Sequence, residues 1–130
     1  MKVYLAGLGS RARYLIDKSM KNTVIIRFEI EGFHNYPDAP EEVYFLSHTH
    51  RHSFTITAGY LVTDLNREKE IFTMRNEVIN YLNDSFGIPC QFGEMSCEMI
   101  ASEILEFSLN DSMIWCEVWE EKTGGARVDI

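Results

Sequence analysis

Two stretches alternate so strictly that they leave the backbone little choice. In TVIIRFEIEGFH the even positions Val24, Ile26, Phe28 and Ile30 are all apolar. In HRHSFTITAGYLVTD, Phe54, Ile56, Ala58, Tyr60 and Val62 share one face while Ser53, Thr55 and Thr57 take the other. Successive side chains of a strand point to opposite faces, so both stretches read as strands with one face against a core. The segment between them, NYPDAPEEVYFLSHTH, carries Pro37, Pro40 and an acidic pair and reads as a loop with one short turn of order.

After the second strand the period changes. In NREKEIFTMRNEVINYLNDSFG, Ile71, Met74, Val78 and Leu82 recur at helical spacing until Gly87 and Pro89 end the run. A second helix is expected in SCEMIASEILEFSL, with Ser96 as N-cap and Glu98 in the first turn, where the helix dipole favours a carboxylate. Its apolar stripe is Cys97, Ile100, Ala101, Ile104 and Leu105. MIWCEVWEE returns to strand, KTGG turns, and ARVDI closes as a last strand. The order ββααββ over residues 23–130 predicts an α+β fold: a four-stranded antiparallel sheet with two helices on one face. Residues 1–22 form an N-terminal extension in which MKVYLAG reads as a short strand and GSRARYLIDKSM as a turn into a helix or irregular link.

Composition narrows the partners. The 130 residues suffice for one domain with a single core. No run of eighteen apolar residues exists to span a membrane, and the N-terminal apolar run is too short and broken for a secretory signal. Cys90, Cys97 and Cys116 make no even, closely spaced framework, so reduced thiols and a cytoplasmic setting are expected. The net charge is −8 without a Lys/Arg cluster, which argues against nucleic acid as a partner. An anionic small substrate would need local cations, of which Arg51, Arg67, Lys69 and Arg75 are the obvious ones.

The same alternation sorts the histidines. His34 shares its parity with Val24, Ile26, Phe28 and Ile30, and His50 and His52 share theirs with Phe54, Ile56 and Ala58. Because His34 ends one strand and His50 begins the next, antiparallel pairing brings the three imidazoles to one rim of the core. Three neutral imidazoles with no fourth protein ligand is the pattern of a catalytic zinc site with an open position. The plainer alternative is a polar strand end that happens to be rich in histidine. His48 has the same parity and is the second choice for third ligand.

Ile114, Cys116 and Val118 alternate inward, and Glu120 continues that parity. An inward carboxylate there can accept two hydrogen bonds from the amidine-like N–H pair of a pterin or guanine ring; the alternative is a solvated residue ahead of a turn. Cys97 and Cys116 lie on core stripes and read as structural thiols. Trp115 and Trp119 lie on the opposite face, packing on the N-terminal extension or marking a subunit interface.

Taken in order, these residues resemble the 6-pyruvoyl-tetrahydropterin synthase family and its relative, 6-carboxy-tetrahydropterin synthase of deazaguanine biosynthesis. IEGFHNYP is similar to the family's first-strand motif, a histidine three residues before a proline. HRHSF is similar to its H-G-H-S/N-F/Y motif, MSCEMIA to its P-T-S-E-N-x-A helix start, and VWEEKTGG to its V-x-E-T ending. The resemblance covers roughly Thr23 to Ile130. It implies the ββααββ tunnelling fold (T-fold), homo-oligomers that include hexameric barrels, and pockets between subunits. It also implies zinc on His34, His50 and His52, Glu120 gripping a pterin ring, and Ser96, Cys97 and Glu98 at the helix start that helps hold it. The family's substrate is 7,8-dihydroneopterin triphosphate, whose side-chain oxygens zinc polarises while an acid–base pair moves protons and triphosphate leaves.

The departures are specific. The family's catalytic cysteine falls on Leu46, the glycine between the paired histidines is Arg51, and the L-D-H relay segment has no counterpart between Arg67 and Asp84. Lacking a tuned base, the proton transfers would lose on the order of 10² to 10⁴ in rate. His48 and Glu98 are the candidate proton carriers in their place. Three functions therefore stand side by side: a divergent zinc-dependent lyase, a non-catalytic protein capturing a pterin, purine or nucleotide on the same scaffold, and a structural oligomerisation module.

Overall fold

The computed structural model describes residues 20–130; the strand expected at MKVYLAG and the link after it lie outside the described residues. The first alternating stretch forms β1 (Asn22–His34) and the second forms β2 (His50–Val62), paired antiparallel over their full length from Asn22 opposite Val62 to His34 opposite His50. A 3-10 segment, Glu41–Ser47, occupies the loop between them. Helix α1 runs from Ile71 to Phe86 and buries Met74, Val78 and Leu82. Its start is set by Glu70, whose side chain accepts the N–H groups of Phe72 and Thr73.

A strand absent from the sequence reading follows. Cys90–Gly93 forms β3, which adds to the free edge of β1 in parallel. The expected four-stranded antiparallel sheet is therefore a five-stranded mixed one. Helix α2 (Cys97–Phe107) begins at the Ser96 cap, whose Oγ accepts the Met99 N–H at 3.2 Å, and buries all five residues of the expected stripe. Strands β4 (Met113–Glu120) and β5 (Gly124–Asp129) complete the order β3-β1-β2-β4-β5.

The two helices and the even-parity faces of β1 and β2 share one core, with Phe54, Ile56, Ala58, Leu82, Ile100, Ile104 and Val118 fully buried. On β4 a register shift opposite Gly59 and Tyr60 puts Met113 rather than Ile114 fully into that core, while Cys116 and Val118 keep their expected parity. The tryptophans lie on the other face. The Arg127 guanidinium sits 4.2 Å over Trp115, which also packs over Gly59, and Trp119 Nε1 donates to Glu117 at 3.0 Å. The turn falls at Glu121–Thr123, so the two glycines of KTGG belong to β5. Gly125 is needed there because a Cβ would run into the Trp119 backbone of the paired strand. Among the described residues, no helix is long and apolar enough to cross a membrane.

Candidate metal centre

Strand register decides where the imidazoles go. His34 pairs with His50 and Gly32 with His52, so the three rings reach the core-side face at one end of the ladder. Their centroids stand 4.6 Å (His34–His50), 4.8 Å (His50–His52) and 5.2 Å (His34–His52) apart. One ligand atom from each lies within 4.8 Å of the others, a group that could hold a metal ion. Phe54 packs edge-on against His34 and His52 and joins the cluster to the core beneath.

Each ring is held by the same nitrogen. His34 Nδ1 donates to the Met95 carbonyl at 2.9 Å, His50 Nδ1 to the His48 carbonyl at 2.8 Å, and His52 Nδ1 to Glu121 Oε1 at 3.1 Å. Carbonyl and carboxylate oxygens only accept, so the ring proton sits on Nδ1 and each neutral ring keeps a bare lone pair on Nε2. Histidines that bind metals are oriented in this way, through the nitrogen that does not bind. His34 is only 7 % exposed, and the Nε2 atoms of His34 and His52 are buried without a hydrogen-bond partner. Burial holds the His34 pKa below its ordinary 6.5, against the opposing pull of the Met95 carbonyl and the Glu120 charge, which keeps the ring in its ligating form.

Glu120 faces these nitrogens from the end of β4. Its Oε1 lies 3.1 Å from His34 Nε2 and its Oε2 3.5 Å from His52 Nε2. Such distances suit an ion pair with an imidazolium; where the rings are neutral, lone pairs meet lone pairs, an arrangement that a cation between them would satisfy. The three imidazoles are the donors of a group that could hold a metal ion.

A cleft of about 680 Å³ opens beside the cluster, lined by His34, His50, Ser96, Cys97, Glu98 and Glu120 among others. The start of α2 reaches it because Gly93 adopts a φ of 62°, turning the chain out of β3 towards the cap. The Cys97 thiol donates to Glu120 Oε1 at 3.7 Å, and burial together with that carboxylate pushes its pKa up to about 12. Glu98 is exposed on the first turn of α2. Leu46 also lines the cleft.

His48 is the exception among the expected site residues. Its ring is exposed and edge-on to Tyr44, and it is not among the residues lining the cleft; only its carbonyl serves the cluster, by orienting His50. A bend at His48, directly after the 3-10 segment, precedes the strand, so parity counted back from His50 does not hold there. Two partners escaped the sequence reading, the Met95 carbonyl and Glu121. Glu121 adopts a left-handed φ of 50°, and a turn placed directly after an inward Glu120 was the available signal.

No protein-family model matches the chain, and no curated protein does. Among solved structures, the fold is similar to the crystal structure of an uncharacterized protein from Wolinella succinogenes. The TM-score is 0.61 at 13 % identity, covering 85 % of this chain and 99 % of that one. At that identity the likeness concerns the fold.

Proposed function

We propose that this chain is a T-fold protein of the 6-pyruvoyl/6-carboxy-tetrahydropterin synthase type, holding zinc on His34, His50 and His52 and taking a pterin- or purine-like ring in the adjoining cleft. The observation that carries this reading is the common orientation of the three rings: every Nδ1 is anchored, and the lone pairs converge beside a carboxylate and a helix start. In this reading the chain forms a homo-oligomer whose neighbouring subunit completes the pocket. Zinc, when bound, would polarise hydroxyl or carbonyl oxygens of the ligand.

Turnover is the weaker half of the kinship. Leu46 lines the cleft at the position corresponding to the family's catalytic cysteine, and Cys97, with its pKa near 12, stays protonated at neutral pH. Glu98, exposed on the first turn of α2, is the carboxylate left to carry a proton. These observations favour a second reading alongside lyase activity on 7,8-dihydroneopterin triphosphate: capture of the ring without turnover. Incubating zinc-loaded protein with that compound and following pterin fluorescence and released triphosphate separates the two. Binding with triphosphate release supports the lyase, and binding without release the capture protein. No binding of any pterin or purine refutes both.

A further inference from the structure

We infer that the cleft beside the histidines selects ring ligands that carry no phosphate, a free base or a nucleoside in place of a nucleotide or a triphosphate. The inference rests on the reading of that cleft as a pterin or purine site and names the class of ring it takes. Four carboxylates line it, those of Asp38, Glu94, Glu98 and Glu120, and among the described residues no lysine or arginine does. They come from four separate places along the chain: the loop after β1, the turn between β3 and α2, the first turn of α2 and the end of β4. His34 lines the same cleft and is buried with its Nε2 lacking a hydrogen-bond partner, so the place is marked for a ligand by more than its acids.

The cations that an anionic substrate would need lie elsewhere. Arg51 has the opposite parity to His50 and His52 and pairs with Glu31 at 3.5 Å on the other face of the sheet. Arg67 and Lys69 lie in the loop between β2 and α1, at the end of β2 remote from His50, and the Arg75 guanidinium sits 4.7 Å over Phe72 on α1. The positive end of α2 would favour an anion, but Glu98 in its first turn already offsets it. Even a divalent ion on the histidines would balance only half of the carboxylate charge. Several phosphate charges brought among these acids would be repelled, whereas the N–H edge of an uncharged ring finds acceptors there. Asp38, Glu94 and Glu98 are exposed, so the repulsion is one that salt weakens.

The test uses the full chain as purified, without added magnesium. Equilibrium dialysis follows 7,8-dihydroneopterin against its triphosphate, and guanosine against guanosine triphosphate. At about 0.01 M ionic strength, the unphosphorylated member of whichever pair binds should bind at least about tenfold more tightly, and the gap should narrow at about 0.15 M as screening sets in. Asp38→Asn combined with Glu94→Gln, both at exposed positions where the fold loses little, should shrink that preference at least about threefold at low salt. A triphosphate bound as tightly as its unphosphorylated ring, or a preference that neither salt nor the double variant alters, overturns the inference while leaving the ring site standing. Binding of neither pair refutes the ring site itself, and the inference with it.

Discussion

The two ends of the β1–β2 ladder obey the same geometry and opposite chemistry. Towards one end, the pairs Ile26 with Ala58 and Phe28 with Ile56 bury side chains that carry no polar atom, and only at the very tip does a buried polar atom, Asn22 Nδ2, lack a partner among the described residues. At the other, the same face continues into Gly32 with His52 and His34 with His50, where buried ring nitrogens have no hydrogen-bond partner. An unsatisfied buried polar atom costs about 1–3 kcal/mol, so such a cluster persists when something else completes it. Alternation thus carries core construction directly into site construction. The first end makes the fold stable, and the second is free to be chemically demanding.

The contrast is most sharply broken by one substitution at each end. Ile56→Ala should cost about 2–5 kcal/mol in urea unfolding, because a fully buried side chain leaves a cavity behind. His50→Ala, at the half-buried rim, should cost metal-free protein under about 1 kcal/mol and abolish stoichiometric zinc binding. Zinc itself comes next. Free zinc at 100 times its Kd should raise the unfolding free energy by about 2.7 kcal/mol, a gain that a chelator reverses and His50→Ala lacks.

Alkaline pH tests the core side. Burial pushes the thiols of Cys90, Cys97 and Cys116 from an ordinary 9.0 up to about 11, 12 and 12. Raised acids stabilise the fold fully below the unfolded pKa, so stability should decline above about pH 9 and keep falling as pH climbs towards those values. Cys116→Ala should flatten that slope in pH-dependent unfolding. Smaller effects follow at the rim. Ser96→Ala removes the α2 cap and should cost about 1 kcal/mol. Lys122, left-handed at a φ of 66°, stores strain in the turn beside Glu121; Lys122→Gly should relieve about 1 kcal/mol, read as a rise in Tm.

Much of this was legible because parity and helical spacing are local signals. They carried β1, β2, the α2 stripe, the face shared by His34, His50 and His52, and the α1 stripe except Ile71, which at the first residue of the helix is half exposed. Strand β3 was not legible: four residues between Pro89 and the Ser96 cap alternate too briefly to register, and nothing local announces a parallel partner 58 positions upstream, where Gly32 faces Cys90. The shift from Ile114 to Met113 depends on a bulge against β2, which neither strand reveals alone. Nor could sequence show that the Met95 carbonyl fixes the His34 tautomer, since that bond spans 61 residues and exists only once α2 docks. Glu120 was placed on the inward face by parity, but its distance from the ring nitrogens needed the packed sheet.

The central claim is that this rim holds a metal, and elemental analysis of zinc in protein purified without chelator or a histidine tag tests it most directly. The account predicts close to one zinc per chain in the wild type and almost none in His34→Ala. A wild-type chain that carries no zinc and takes up none when it is added would contradict it.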